Sequence, residues 1–248
     1  YELMLQLLAK ADDQFTGGRE YYSHPNYRGT SKPNIIHQSS ATGMQVIPTT
    51  GVAQGLKYLQ QIKSDQFKKT SDGQLPVVVC SLGDASITEG EVSEAFQFAV
   101  LKKLPIIYLV QDNNWGISVS AEEARAMDAY EYAGGFPGMH RIRCDGSDFT
   151  EAFETMQHVV DHVRTHQEPY LVQAYVPLLN HHTSGVRKEF YRSKEDLDQH
   201  STDDPFPKLK QICLQCGITE EELQQVFDEA KQTVAADFAK AAFSESFN

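Results

Sequence analysis

Two polar segments of the chain carry residue types that could bind a metal ion together with a phosphate group. The first contains Gly83 and Asp84, and the second contains Asp112, Asn113 and Asn114. Asp84 offers a carboxylate oxygen and Asn113 an amide oxygen, hard ligands of the kind that Mg²⁺ prefers alongside water and substrate phosphates. These two side chains could therefore join the protein to a diphosphate through Mg²⁺.

The residues that follow Asp84 could bind the diphosphate directly. Gly83 permits a tight turn, and the backbone amides of Ala85 and Ser86 are then free at the start of the next segment. Such amides suit a diphosphate, because N–H groups that converge on one point attract an anion. The alternative is that Gly-Asp and Asn-Asn are simply turn residues, as these residue types often are.

The order of strand-like and helix-like stretches predicts that both segments lie at the same edge of a sheet. Residues 76–82 form an apolar run that is typical of a strand covered on both faces, and residues 105–111 form a second one. A helix over residues 91–102, with apolar side chains on one face, separates them. In an open α/β sheet, ligands bind beyond the carboxyl ends of the strands, which is where both segments fall.

The remaining elements continue this alternation. We expect helices near residues 3–8, 52–62 and 149–165, and strands near 141–144 and 170–176. This order predicts an α/β fold, a mostly parallel sheet with helices on both faces, in a single domain over residues 1–248. A polar loop over residues 180–193 carries His181 and His182. Residues 205–248 form a C-terminal helical segment that contains a capping box, Thr219 with Glu222.

Composition argues against several classes of function. A formal net charge of −12 disfavours nucleic acid, whose phosphates need clustered Lys and Arg. The apolar runs are far shorter than the roughly 20 residues that cross a bilayer, and no secretory leader opens the chain. We therefore expect a protein of the bacterial cytoplasm or the mitochondrial matrix. The four cysteines are expected to be reduced, and Cys213 with Cys216 favours a plain helix over a zinc site.

The spacing of the two polar segments resembles that of a known cofactor motif. Asp84 and Asn113 are 29 positions apart (84 to 113), similar to the thiamine-diphosphate motif written GDG and then NN. Further similar segments occur in order over nearly all of residues 1–240, at 17–24, 38–45, 83–91, 112–118, 145–148 and 181–193. Together they resemble the α subunit of the thiamine-diphosphate-dependent dehydrogenase component of 2-oxoacid dehydrogenase complexes. The resemblance implies a thiamine-diphosphate-binding fold from which the family's N-terminal region is missing.

The resemblance also implies positions for two cofactors, thiamine diphosphate and Mg²⁺. Mg²⁺ would be bound by the side chains of Asp84 and Asn113 and by the backbone carbonyl of Trp115. His182, in a mobile active-site loop over residues 180–193, would be catalytic, although a histidine pair in a polar loop is otherwise more often solvated surface. The implied cofactor-binding residues are Ser40, Thr42, Met44, Gly83, Asp84, Ala85, Ser86, Gln111, Asn113, Trp115, Gly116, Ile117 and His182.

Several positions depart from the family's pattern. Gln111 stands where an arginine commonly reaches the terminal phosphate, and Leu178 stands at a second arginine position. Both positive charges are absent, which weakens the expected binding of a diphosphate. Ala85 replaces the third glycine of the motif. No residue matches the glutamate that activates the cofactor, which in this family belongs to a β subunit or β region.

The activity that the resemblance implies is decarboxylation of a 2-oxo acid and transfer of the acyl group to the lipoyl group of a partner acyltransferase. The implied partners are a β subunit or β domain that carries the catalytic glutamate, in an α₂β₂ arrangement. Two alternatives stay open. One is another thiamine-diphosphate enzyme such as a transketolase, which the loop ending in Tyr191-Arg192-Ser193 disfavours. The other is a non-catalytic fragment or assembly subunit with the same fold.

Overall fold

A computed structural model describes residues 1–29, 32–36, 39–183 and 185–246, in which the chain forms two compact units. One unit combines Tyr1–Ser40 with Lys210–Asn248, and the other is Ala41–Leu209. Gln38 and Ser184, from the segments that resemble the family, lie outside the described residues. The single domain over residues 1–248 and the mobility of the loop over 180–193 stay predictions.

The larger unit is built on a four-stranded parallel sheet. Its strand order is β1-β2-β6-β5, and every neighbouring pair is parallel. A two-stranded antiparallel ribbon, β3 with β4, follows β2. The strands are β1 (Val78–Gly83), β2 (Ile106–Asp112), β3 (Trp115–Gly116), β4 (Val119–Ser120), β5 (His140–Asp145) and β6 (Tyr170–Tyr175).

Helices connect these strands, and helices α1 and α9 belong to the smaller unit. The predicted helices over 91–102 and 149–165 form within one residue of the expected bounds, whereas the helix expected at 52–62 begins six residues earlier. Helix α8 contains the chain position at which the two units divide. The helices are α1 (Glu2–Leu7), α2 (Val46–Gln61), α3 (Gly90–Lys102), α4 (Ala121–Ala124), α5 (Ala129–Ala133), α6 (Phe149–His166), α7 (Lys194–Thr202), α8 (Pro205–Gln215) and α9 (Glu220–Ala242).

Apolar side chains pack on both faces of the sheet. On one face, residues of α2 and α3 such as Phe96 pack against Leu82 of β1 and Tyr108 of β2. On the other face, Val159 and Val163 of α6 pack against strands β2, β5 and β6. Burial of these side chains removes apolar surface from water, which is the main favourable term in folding. The predicted α/β fold with helices on both faces is therefore confirmed.

Strand β1 differs from the prediction that both of its faces are covered. Cys80 and Leu82 are buried, but Val79 is 47% exposed and Ser81 is exposed as well. The reason is its place at the end of the strand order, where alternate side chains point to opposite faces and α2 and α3 cover only one of them.

In the smaller unit, α1 lies against α9. The leucines whose spacing predicted α1 are not its buried residues: Leu3 is 52% and Leu7 55% exposed, whereas Leu5 is buried. The buried Lys10 donates hydrogen bonds of 3.0 Å to the backbone carbonyls of Ala242 and Ser244. Its ammonium group thereby satisfies carbonyls that the end of a helix leaves without partners.

The C-terminal capping box forms as predicted. Thr219 accepts a hydrogen bond from the backbone of Glu222, and the Glu222 side chain accepts one from the backbone of Thr219. These bonds satisfy N–H groups that begin helix α9. None of the described helices is long and apolar enough to span a bilayer.

Candidate functional site

The two polar segments meet at one edge of the sheet. Strands β1 and β2 are adjacent and parallel, and Gly83 is paired in register with Gln111. The chain leaves β1 through a short 3₁₀ turn, Asp84–Ser86, and β2 ends at Asp112. Since parallel strands bring their carboxyl ends to the same edge, Asp84 and Asp112 lie side by side, as the sequence predicted for their segments.

An arginine joins these two carboxylates. One terminal nitrogen of Arg125, Nη2, lies 3.0 Å from Oδ2 of Asp84 and 2.9 Å from Oδ1 of Asp112. Arg125 directly follows the short helix α4, whose capping box is formed by Ser120 and Glu123. The two aspartates are 3% and 2% exposed, so this is a buried cluster of three charges.

Further hydrogen bonds hold Asp112 in place. The side-chain amide of Gln173, on β6, donates to Oδ2 of Asp112 over 2.7 Å, and the backbone N–H of Asn114 donates to Oδ1 over 3.1 Å. The carbonyl oxygen of the Gln173 side chain accepts from the backbone N–H of Tyr130. Both carboxylate oxygens of Asp112 are therefore hydrogen-bonded, and these bonds hold the carboxylate in place beside Asp84.

The charges of the cluster do not balance. Two buried carboxylates face one guanidinium, which leaves one negative charge uncompensated when both are ionised. Burial first, and then the negative charge of Asp112, raise the pKa of Asp84 to about 6, while Arg125 opposes the change. The cluster thus has the electrostatic character of a site that a further cation would stabilise.

Neither Arg125 nor Gln173 was predicted from the sequence, and Asp112 was predicted only as a member of the polar segment that follows the second strand. One signal was available: Gln173 is a polar residue inside the otherwise apolar strand 170–176, and a buried amide needs polar partners. No comparable feature of the sequence indicated that Arg125 belongs to the cluster. Asp84, which directly follows β1, is 41 positions away (125 − 84), and no local sequence pattern indicates such a contact.

Asp84 and Asn113, the two predicted side-chain ligands of Mg²⁺, are in contact. The backbone N–H of Asn113 donates to Oδ1 of Asp84 over 3.5 Å. The side-chain oxygen of Asn113 accepts from the backbone N–H of Trp115 over 2.9 Å, and Asn114 takes a left-handed conformation with φ of 64°. The turn after β2 is therefore folded back against Asp84, so that the amide oxygen of Asn113 and the backbone of Trp115 belong to one tight turn.

Gly116 lets the ribbon β3–β4 approach the turn after β1. A Cβ atom at Gly116 would lie 2.9 Å from the Cβ of Ala85, closer than carbon atoms approach without a shift of the backbone. The following residue, Ile117, has a positive φ of 59° and is exposed. The structure thus brings Ala85 and Gly116 into contact beside Asp84.

Gly83 does not serve the predicted role. Its φ of −83° and ψ of 157° are extended backbone that any residue adopts, so the tight turn does not depend on it. The turn is made by the next three residues, and the hydroxyl of Ser86 donates to the carbonyl of Gly83 over 2.9 Å. The absence of a side chain at Gly83 leaves the end of β1 open rather than bending the chain.

Gln111 lies beside this strand end. Its side-chain oxygen accepts from the hydroxyl of Ser81 over 2.8 Å, which leaves its amide N–H groups as possible donors to a ligand. The carbonyl of Ser81 accepts from the side chain of Gln45, which places the segment before α2 next to β1. Thr42 and Met44, in that segment, are both exposed. Ser40 is also exposed and belongs to the smaller unit.

The predicted catalytic histidine is exposed. His182 and His181 line an open depression with Asn180, Thr183 and Glu189. Among the residues that the structure describes, no hydrogen bond, ion pair or ring contact joins His182 to the Asp84 cluster. The catalytic role of His182 therefore stays a prediction.

The end of the histidine loop is fixed to β3. Arg192 is buried, pairs with Asp196 of α7 and donates to the carbonyl of Leu178 over 2.9 Å. Its guanidinium lies 5.5 Å from the centre of the Trp115 ring, and the indole N–H of Trp115 donates to Asp196 over 3.3 Å. Such cation–π and charge-assisted contacts connect Trp115, whose backbone lies beside Asn113, to the segment that carries His182.

Comparison with known proteins decides the family. The profile of the family described as "Dehydrogenase E1 component" matches residues 1–246, nearly the whole chain. The chain belongs to this family. The resemblance drawn from the motifs is thereby confirmed.

The Dehydrogenase E1 chain is similar to α subunits from several organisms. It is 29% identical over 167 residues to 3-methyl-2-oxobutanoate dehydrogenase subunit alpha of Mycobacterium tuberculosis, covering 67% of this chain and 46% of that one. It is 28% identical over 240 residues to the mitochondrial 2-oxoisovalerate dehydrogenase subunit alpha of Caenorhabditis elegans, covering 96% and 52%. The chain thus spans about half the length of these relatives.

Solved structures give a weaker similarity. A transketolase from Campylobacter jejuni matches with 23% identity and a TM-score of 0.44, covering 54% of this chain and 20% of the transketolase. A similarity at this level carries no argument about function, so the functional proposal rests on the family and on the site.

Asp84→Asn is expected to change how the stability of the chain depends on pH. The pKa of Asp84 in the folded chain, about 6, lies above its ordinary value of 3.8. Its contribution to stability is therefore fully present below about pH 4 and is lost as the pH rises through about 6. In chelator, the wild-type chain should lose on the order of 1 to 3 kcal/mol of unfolding free energy between these limits, and the variant should not.

Chemical denaturation at a series of pH values measures this difference. Asp65→Asn, in the exposed loop between α2 and β1, is the matched control and should follow the wild type. Identical pH dependence of the unfolding free energy in Asp84→Asn and the wild type would show that burial in the cluster does not raise the pKa of Asp84.

Proposed function

We propose that the chain is the diphosphate- and metal-binding part of a thiamine-diphosphate-dependent 2-oxoacid dehydrogenase. The whole enzyme would decarboxylate a 2-oxo acid and transfer the acyl group to the lipoyl group of a partner acyltransferase. The observation that carries the proposal is the contact between Asp84 and Asn113 at the carboxyl edge of a parallel sheet, in a chain of the Dehydrogenase E1 family.

The buried cluster fits a divalent cation. Asp84, Asp112 and Arg125 together leave one negative charge, which Mg²⁺ would compensate. Oδ1 of Asp84 accepts a long bond of 3.5 Å from the backbone N–H of Asn113, and a carboxylate oxygen has further lone pairs that can bind a ligand. The proposed protein ligands are the Asp84 carboxylate, the Asn113 amide oxygen and the carbonyl of Trp115, with water and phosphate oxygens completing the set that Mg²⁺ prefers.

The same edge of the sheet also offers hydrogen-bond donors that could bind an anion. Nη1 of Arg125 is buried and has no hydrogen-bond partner among the described residues. A buried charged donor without an acceptor is costly, and a phosphate oxygen would relieve that cost. The N–H groups of Ala85 and Ser86, which begin a helical turn, and the amide of Gln111 are the further donors that we assign to the diphosphate.

When bound, thiamine diphosphate supplies the electron sink for decarboxylation. The task of this chain is to orient it and to exclude water. We assign Thr42 and Met44 to the ring end of the cofactor, and Gly83, Gly116 and Ile117 to the open surface around the diphosphate.

His182 is assigned to the reacting end, where it would hold or accept a proton. Its loop is fixed at one end through Arg192, Asp196 and Trp115, the residue whose carbonyl we assign to the metal. Metal binding and the position of the loop would therefore be linked through a single residue.

The chain is proposed to need a β subunit or β domain. The residues assigned above account for metal, diphosphate and one histidine, and they leave the aminopyrimidine without the carboxylate that activates it. A β partner would supply that glutamate in an α₂β₂ assembly.

One observation favours a second candidate, a non-catalytic subunit of the same fold. Arg125 already lies 3.0 Å from the Asp84 carboxylate that the metal would use. If this pair persists in the assembly, Asp84 is satisfied without a metal ion. Cofactor binding separates the two candidates.

Thiamine diphosphate is expected to bind the reconstituted α/β assembly only with a divalent metal. Asp84→Ala should lower the affinity about 100-fold or more, because a hard-cation site that loses its carboxylate keeps too few oxygen ligands. Calorimetry with Mg²⁺, and again with chelator, measures this. The matched control is Asp65→Ala, which removes an exposed aspartate and should bind as the wild type does. Equal affinity in Asp84→Ala, or indifference to chelator, would show that Asp84 does not bind a metal for the cofactor, whereas no binding by the wild-type assembly would favour the non-catalytic candidate.

His182→Ala is expected to lower turnover by about 100-fold, the usual scale for a positioned acid or base. Cofactor affinity should change much less, because within the described part of the chain no contact joins His182 to the Asp84 cluster. His181→Ala removes the adjacent imidazole, which accepts the N–H of Lys188, and should lower turnover less. Steady-state kinetics and calorimetry on both variants decide the question. Normal turnover in His182→Ala would make His182 a solvated surface residue.

The chain alone is expected to show no 2-oxoacid-dependent reduction of an artificial electron acceptor at saturating thiamine diphosphate and Mg²⁺. Activity should appear when a β partner is supplied, because the partner would contribute the carboxylate that activates the cofactor. Substantial activity from the chain alone would point to a carboxylate in this chain, with Glu89 and Glu91 the first to be replaced.

A further inference from the structure

A second group of metal-binding side chains lies at the other edge of the sheet. His140 begins β5, Glu168 lies in the connection from α6 to β6, and His162 lies in the last turns of α6. One ring nitrogen of each histidine and one carboxylate oxygen of Glu168 all lie within 4.8 Å of one another. The three residues come from three separate parts of the larger unit and converge on one point.

The individual contacts define this group further. Nε2 of His140 lies 2.9 Å from Oε2 of Glu168, and the rings of His140 and His162 are 4.4 Å apart between their centres. Nε2 of His162 is buried and has no hydrogen-bond partner among the described residues. A buried imidazole nitrogen without a partner is costly in a folded protein and is a common mark of an unrecognised ligand site.

Helix α6 adds two more histidines on the same face. His158, His162 and His166 follow one another at intervals of four residues, which places them along one side of a helix. The rings of His162 and His166 are 4.4 Å apart, whereas those of His158 and His162 are 6.4 Å apart. Pairs of histidines at this interval bind zinc in other helices.

The donor set indicates the class of metal. Two imidazoles and one carboxylate form a ligand set of zinc sites that keep a fourth position for water or another group. Ligands bound at about 2.0–2.1 Å in a tetrahedron are separated by roughly 3.4 Å, so separations within 4.8 Å require only small side-chain movements. Mg²⁺ and Ca²⁺ prefer oxygen ligands and fit this set poorly.

We propose that His140, His162 and Glu168 bind a divalent transition metal, with Zn²⁺ the ion that fits best. The metal would join β5, α6 and the start of β6 into one rigid unit.

The ion pair already present is compatible with this site. Oε1 of Glu168 accepts from Nζ of Lys103 over 2.9 Å, while Oε2 faces His140. The metal would replace the contact between Oε2 and His140, and Lys103 would stay on the other oxygen. A hydrogen bond to a ligating carboxylate is a usual way to hold such a ligand in place.

The site is separate from the proposed cofactor site. His140 begins β5 and Glu168 precedes β6, whereas the Asp84 cluster lies at the carboxyl ends of the strands. Six residues of strand span about 20 Å, so the two sites lie at opposite edges of the sheet. Zinc at the histidine site would therefore stiffen the sheet without occupying the cofactor edge.

Calorimetry with Zn²⁺ on the full chain, stripped of metal, tests the proposal. A Cys213→Ser/Cys216→Ser background removes the CxxC pair, and an Asp84→Ala background removes the other candidate metal ligand. In both backgrounds one Zn²⁺ per chain should bind at micromolar or lower concentration. His140→Ala, His162→Ala and Glu168→Gln should each weaken binding about 10- to 100-fold.

His158→Ala and Glu154→Gln, on the same helix, are the matched controls and should change the affinity less than threefold. X-ray absorption at the zinc edge should show only nitrogen and oxygen ligands. Unchanged affinity in His140→Ala and Glu168→Gln would mean that the α6 histidines bind zinc by themselves, and the proposal would be wrong. Loss of binding in the cysteine background, or sulfur ligands, would also overturn it.

Discussion

The contact on which the functional edge depends is the bridge that Arg125 makes between Asp84 and Asp112. Asp84 directly follows one strand of the parallel sheet, Asp112 ends the neighbouring strand, and both are buried. Without the guanidinium, two carboxylates would face one another in a low-dielectric environment. Their repulsion would destabilise the folded chain whenever both were ionised. The bridge therefore stabilises the two buried carboxylates at this edge of the sheet. With both carboxylates ionised, the cluster keeps a net negative charge that would attract a cation.

Most of the framework followed from the sequence. Apolar runs and helical spacing predicted the strands and helices of the larger unit because their periodicity is local. The exposure of Val79 and Ser81 was not predictable, because whether a strand ends a sheet depends on which strands pair with it. Helix α1 shows the same limit. Its helical spacing was recognised in the sequence, but the exposed Leu3 and Leu7 show that the spacing did not indicate which side of the helix packs against the protein.

The site was predicted in part, for a similar reason. Asp84 and Asn113 were predicted because their spacing along the chain is typical of residues that follow two neighbouring parallel strands. Arg125 and Gln173 were not, since each meets the cluster from an element that is distant in sequence. Gly83 was assigned a turn that the next three residues make. The cofactor motif therefore predicted that Asp84 and Asn113 lie together. The structure was needed to place the charges of Asp112 and Arg125 beside them.

The contact between Ala85 and Gly116 links two positions that the sequence separates by 31 residues (116 − 85). A Cβ at Gly116 would collide with the Cβ of Ala85 at 2.9 Å, so only one of the two positions can carry a side chain at this distance. A glycine at 85, as the motif usually has, would remove that restriction. The two positions should therefore covary among related proteins, with a small residue at either one compensating for a larger residue at the other.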